Sequence, residues 1–254
     1  MSSQYLPVYV GNALNENLDW LPELMAGTVG RKRILAFCQN FRIAGIGELL
    51  MTGLADEFVL RLHQSGSAYV AWLRNAAAGE KRTGQSPPFF DAIASGDLRG
   101  AADIARLSKR SWTPGAEYEE DFLFVEFLMQ RFFLGASTDM CVSLLQRYEK
   151  ALKGTEDPRL EVCAALQGAD AEQFNKSMQL FLSEWRDRYA QLAEEGGIAP
   201  ELQSTDGKLC VEGVALARLA EGLGLETEED YLLVPSVARE EVSLVFRANS
   251  WTDL

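Results

Sequence analysis

The sequence predicts an all-α protein, a multi-helix bundle of packed helical hairpins. Three observations carry that prediction. Apolar residues recur every three or four positions, as in Leu50, Leu54, Phe58 and Leu62, which is the spacing of one helix face. Gly, Pro, Ser and Asp punctuate these runs where helices start and stop. Period-two alternation is scarce: only YLLVPS and VSLVF look strand-like, and either reads as loop or tail. The 254 residues, 47% apolar and 24% charged, suit a globular chain with a substantial core. A single domain over 1–254 is expected, with a soft boundary at the loop 79–88.

Residues 1–12 read as an extended or irregular start. LNENLDWLPELMAG comes next as a short amphipathic helix with Pro22 near its first turn, and RKRILAFCQNF as another short helix. IGELLMTGLADEFVLRLHQS is read as one helix that Gly53 and Gly66 break, and GSAYVAWLRNAAAG as a compact helix ending at Gly79. EKRTGQSPPFF is the clearest loop, with Pro88 in the first turn of the next helix. PPFFDAIASGDLRGAADIARLS is a helix, a turn at Ser95-Gly96 and a helix capped by Asp97. PGAEYEEDFLFVEFLMQRFFLGA is apolar on several faces and belongs in the middle of the fold. Asp139 is expected to cap the helix in DMCVSLLQRYEKALKG, which Gly154 stops. A helix, a turn near Gly168 and a long helix come next. Phe174, Met178, Phe181, Trp185, Tyr189 and Leu192 stripe the long one, a pattern that reads as core packing. Val211, Val214, Ala215, Leu219 and Leu223 stripe the last helix before Gly224 ends it. AIASGDLRGAADI and ALQGADAEQFNKS share an order of helix, small residues, Asp and helix. Related hairpins and chance explain that equally well.

Charge and absences bound the function. Lys and Arg number 24 against 37 Asp and Glu, a net charge of −13. Such a surface repels nucleic acid and anionic membranes and attracts basic proteins, although acidity also serves solubility. The start MSSQYLPVYVGNALNENLDW lacks a basic segment followed by an apolar one, so a cytoplasmic location is expected. No stretch of about 18 uninterrupted apolar residues predicts a membrane span. Cys38, Cys141, Cys163 and Cys210 form no C-x-x-C pair and read as reduced thiols. The one histidine, His63, sits in a helix pattern with no partner indicated, so a surface or half-buried residue is expected rather than a general base. Phosphate-loop, dinucleotide, nucleophile-elbow and zinc motifs are all missing, and no cofactor or metal is expected.

Two acidic clusters remain. Glu117, Glu119, Glu120 and Asp121 lie at a helix start, where the dipole favours acids. Glu226, Glu228, Glu229 and Asp230 come after a helix C-terminus, where the dipole disfavours them. The second cluster therefore has the better claim to a basic partner, with a solvated loop as the equal alternative. Tyr118, Trp112 and Tyr231 are the neighbouring aromatic residues that such an interface would use as anchors.

Three segments taken in order resemble a known family. Ala92, Gly96 and Asp97 form an A-x-x-x-G-D hairpin, and Glu117 and Tyr118 precede an acidic-apolar helix. Gly213, Ala215, Leu216, Leu219 and Ala220 form a G-x-A-L-x-x-L-A helix, and after it come Gly224, Leu225, an acidic stretch and Pro235. This pattern, over about 88–134 and 208–239, resembles the all-helical bacterial immunity proteins of family 49. A more distant likeness is to the DNase-immunity group paired with type VI effectors. The N-terminal 80 residues carry no such pattern. The resemblance implies a non-catalytic protein that binds and neutralises a cognate toxin in the cytoplasm. A nuclease toxin, whose cleft must be basic, would meet an acidic surface. In that reading the partner is a protein, not nucleic acid or membrane. A non-catalytic helical scaffold or adaptor is the alternative, and an enzyme using carboxylates alone is the third reading.

Overall fold

The structure, a computed structural model, describes residues 4–254. Eleven α-helices and three short 3₁₀ turns make up the regular structure among these residues, with no strand beyond a single bridge between Tyr231 and Val234. The all-α prediction holds.

Helix α1 (Leu6–Met25) has Pro7 in its first turn and is longer than expected, taking in much of the irregular start. Pro22 lies in its last turns, on the exposed side, where water can serve the carbonyl that proline leaves free. Helix α2 (Arg31–Thr52) and helix α3 (Ala55–Asn75) each absorb two of the predicted pieces. The one break is Gly53, left-handed at φ 69°, a conformation glycine adopts without strain. Gly47 and Gly66 sit inside helices because neighbours come close. A Cβ on Gly47 would lie 2.4 Å from Val10 Cγ2, and one on Gly66 3.0 Å from Ala92 Cβ. Helix α3 ends at Asn75, short of Gly79.

Helices α4 (Pro87–Ala94) and α5 (Leu98–Leu107) form the expected hairpin, with Asp97 accepting from the Gly100 N–H at 2.8 Å. Helix α6 (Glu119–Phe132) buries nine consecutive residues, Phe122–Gln130. Ser137, not Asp139, caps α7 (Thr138–Leu152), because its hydroxyl is the group that reaches the Met140 N–H. Asp157 caps α8 (Pro158–Gly168) and Asp170 caps α9 (Ala171–Glu194). The two similar segments are thus both hairpins with an aspartate cap. A short α10 (Pro200–Ser204) has no counterpart in the sequence pattern. Helix α11 (Val211–Gly222) is the predicted last helix.

Helix α3 is central: α2 packs along it on one side and α4 and α5 on another, while α11 reaches both α4 and α9. By length and composition α2 alone, among the described residues, is apolar enough to cross a membrane, but most of it is buried inside the fold. A buried ionic cluster ties these layers. Arg42 donates to Asp91 at 2.8 Å and lies 3.6 Å from Asp206, while Ser65 donates to the other Asp91 oxygen at 2.6 Å. All four cysteines are buried and unpaired, and burial pushes their thiols above the ordinary range, so they act as small apolar groups.

His63 departs from expectation. It is buried, with Nδ1 2.9 Å from Asp97 and Nε2 3.0 Å from the Arg247 carbonyl. Both partners lie far along the chain, which is why sequence pattern could not show them. His63 belongs to a row of α3 side chains that hold the C-terminal tail. Gln64 donates to the carbonyls of Ser250 and Asp253, and Ser67 to that of Ala248. Trp251 then inserts against the edge of Phe37.

Candidate functional site

The loop after α11 is held from within and presents charge outward. Tyr231 is buried beneath it, and its hydroxyl accepts from the Glu228 N–H at 3.0 Å and donates to Asn175. Arg239 lies 5.6 Å over the Tyr231 ring and donates to the carbonyls of Glu228 and Glu229. Asn175 also holds the Glu226 carbonyl at 3.0 Å. The backbone is therefore fixed by side chains from α9 and from the segment after the loop. Glu226, Glu228 and Glu229 are exposed, and among the described residues no donor meets their carboxylates. Asp230 is different: it accepts from the Ser236 N–H at 2.6 Å, which lowers its pKa and closes the loop. Tyr231 supports the loop from beneath and does not project from it.

The predicted cluster at 112–121 divides in two directions. Glu117 precedes α6 and turns inward, accepting from the N–H groups of Gly84 at 2.8 Å and Thr113 at 3.2 Å. Trp112 is half-buried and donates to the Glu117 carbonyl at 3.0 Å. Glu119 is clasped by Arg147 at 2.7 and 2.9 Å, and Asp121 by Arg159 at 3.0 Å. Tyr118 is exposed at the α6 N-cap. Glu120 has no charged partner among the described residues.

Glu120 and Asp121 open into a pocket of about 370 Å³ that the sequence pattern did not reveal. Besides these two α6 residues, its acids are Glu156 and Asp157 from the turn before α8, Glu184 from α9 and Glu212 from α11. Phe181 and Trp185 form an apolar wall, and Arg159 and Arg188 are its cations. Burial pushes Glu212 up to about 7, with Arg159 and Arg42 offsetting part of the effect and Asp121 and Asp157 adding to it. Glu184 is raised by the same desolvation and by Asp157. Burial would also raise Asp157, but hydrogen bonds and charge from Arg159 hold it below the usual range. The sequence pattern singles out neither Glu212 nor Asp157. Their convergence needs residues up to 92 positions apart, Glu120 to Glu212.

The pocket lies at the N-terminal end of α11 and the acidic loop extends from its C-terminal end. A helix of 12 residues sets those ends about 18 Å apart. The arrangement is a divided acidic surface carried by one helix, with Glu226, Glu228 and Glu229 of the loop free and the pocket carboxylates crowded. Among the described residues no group of three or more His, Cys, Asp and Glu side chains is placed to hold a metal ion. His63 has both ring nitrogens engaged and presents no open position.

A family model described as immunity protein 49 matches residues 59–238. No curated protein matches, and no solved structure matches. The matched span runs from within α3 to the 3₁₀ turn Ser236–Arg239, so it contains both the pocket and the loop.

Proposed function

The chain belongs to the immunity protein 49 family, and from that premise we propose that it protects its producer by binding a cognate toxin in the cytoplasm and occluding it with an acidic surface. No reaction is catalysed in this reading. One observation supports the choice of surface: the loop 226–231 is held rigid from beneath while the carboxylates of Glu226, Glu228 and Glu229 have no partner among the described residues. Pre-organisation of that kind lowers the ordering cost of binding. A toxin that acts on nucleic acid must carry a basic cleft, and these carboxylates would steer it into contact and neutralise it. The pocket beneath Glu120 and Glu212 would take a basic side chain at the same encounter.

The test is co-expression with the toxin encoded beside this gene, followed by co-purification at low and high salt. Growth rescue with a stable complex is expected. Reversing charge at Glu226, Glu228 and Glu229 to Lys is expected to slow association about tenfold or more and to flatten its salt dependence. Rescue that survives the reversal unchanged would remove the loop from the interface. Absence of both rescue and complex would remove the immunity reading itself.

A further inference from the structure

We propose that His63 is a proton-operated latch for the C-terminal tail: with both ring nitrogens protonated it fastens residues 241–249 to α3, and with only one protonated it releases them. Residues 241–247 form no regular secondary structure, and Val245, Phe246, Arg247, Ala248 and Asn249 are exposed. The tail is gripped by its carbonyls. His63 meets that of Arg247 at 3.0 Å, Ser67 that of Ala248, and Gln64 those of Ser250 and Asp253 at 2.9 and 2.8 Å. Of these three α3 side chains only the histidine is of a type that titrates near neutral pH.

The surroundings of the ring favour its charged form. His63 is 3% exposed. Its Nδ1 lies 2.9 Å from a carboxylate oxygen of Asp97, and its Nε2 lies 3.0 Å from the Arg247 carbonyl. Both partners are acceptors. A neutral imidazole has one N–H and one lone pair, so it serves one acceptor and turns its lone pair on the other, whereas the imidazolium donates to both. Asp97 is itself committed as an acceptor, because its other oxygen takes the Gly100 N–H at 2.8 Å. Phe246 acts in the same sense. Its ring lies tilted against His63 with centroids 4.6 Å apart, within the distance at which an aromatic ring attracts a cation.

Loss of the proton frees the tail and not the α5 cap. A neutral ring keeps its N–H on Asp97, the charged and therefore stronger acceptor, and presents a lone pair to the Arg247 carbonyl. Phe246 loses its cation at the same time. The other charged groups around this space are Arg74 of α3, Arg99 and Asp103 of α5, and Arg247 of the tail. Arg74 lies 3.6 Å from Asp103 and Arg247 3.8 Å from Asp253. The three arginines are exposed, so water and salt screen them, while Asp97 is in contact with the ring. Toward α2 and α4 the charges are Arg42 and Asp91, which pair with each other at 2.6 Å beside Ser65. The movable stretch is bounded at both ends. Arg218 holds the Glu240 carbonyl at 3.0 Å, and Trp251 is buried against Phe37. Phe246 and Ala248 form one wall of a cavity of about 290 Å³ whose other walls are α3 and α5, and release opens it. Arg239, which holds the acidic loop, precedes this stretch, so the latch stands independently of the toxin-binding reading.

The chain has one histidine, so nitrogen NMR of the imidazole reads His63 without ambiguity. The experiment follows the ring, together with Cα order parameters of residues 241–249, from about pH 5 to about pH 8. It compares wild type with His63→Gln and Phe246→Ala. At the acid end both ring nitrogens are expected to carry protons. As pH rises through the ring's titration, the strap's order parameters are expected to fall from about 0.85 to below about 0.6 with the same midpoint, while those of α3 hold. His63→Gln is expected to abolish this pH dependence. Phe246→Ala, which removes an attraction for the cation, is expected to move the midpoint to lower pH by about half a unit. A ring with a single protonated nitrogen at every pH would overturn the latch, as would a strap equally ordered on both sides of the titration. A ring that keeps both protons throughout would make the tail a fixed part of the fold and overturn it too. These wild-type outcomes decide without the variants, and a strap that still responds to pH in His63→Gln would assign the response to another group.

Discussion

Glu212 shows how much a single residue's surroundings decide. As a first-turn acid on α11 it would be ionised at neutral pH with a small gain from the helix dipole. In the pocket, burial lifts it from 4.5 to about 7. The folded state then holds a proton that the unfolded chain has released, and stability falls as pH rises from about 4.5 to about 7. Glu212→Gln keeps the shape and removes the charge. It is expected to stabilise the protein by on the order of 1–3 kcal/mol at pH 8 and to change little at pH 4.5. Urea denaturation at the two pH values measures this. Equal effects at both would show that Glu212 is not raised in the folded protein. Glu117 makes the same point without titration. It stands one residue from exposed Tyr118, yet its carboxylate is taken up by backbone N–H groups.

At the scale of elements, the Asp97 cap and the matching Asp170 of the second hairpin were legible because capping is local: the acceptor and the N–H it serves lie three residues apart. At α7, by contrast, Ser137 took the place expected of Asp139. Asp97 and Asp170 hold the two hairpins in the same way. They differ in what else they touch. Asp170 is exposed, whereas Asp97 is buried and also pairs with His63. Asp170→Ala is therefore expected to cost about 1 kcal/mol. Asp97→Ala, which also leaves a buried ring nitrogen unsatisfied, is expected to cost roughly 2–4 kcal/mol. Chemical denaturation of both variants decides it, and equal losses would mean that the His63 contact contributes nothing. Helix ends marked only by glycine were less legible. Gly53 ends a helix, but Gly47 and Gly66 serve close packing within helices, and sequence spacing does not distinguish those uses.

The whole molecule depends on layers that the family match does not include. Phe37, Phe41 and Ile46 of α2 are wholly buried, and Arg42 compensates the buried charge of Asp91 on α4. The tail returns to α3 and seats Trp251 against α2. Residues 59–238 alone would expose that apolar face and leave Asp91 without its cation, a loss of about 3–5 kcal/mol from the charge alone. That fragment is expected not to fold cooperatively. Circular dichroism during thermal melting checks this, and a sharp melt near that of the full chain would show that the outer layers are dispensable.

What the sequence determined by itself was the class of fold, the order of most helices, the Asp97 cap and the presence of two acidic clusters. Each depends on residues within about one or two helical turns of one another, where 3.6-residue periodicity and local hydrogen bonding act. Only the tertiary structure decided which acids face outward. It turned Glu117 inward, gave Glu119 and Asp121 to arginines, left Glu226, Glu228 and Glu229 free, and gathered Glu120, Glu184 and Glu212 around one pocket. A carboxylate's partner is chosen by proximity in space, and in a bundle of hairpins that proximity joins residues far apart along the chain.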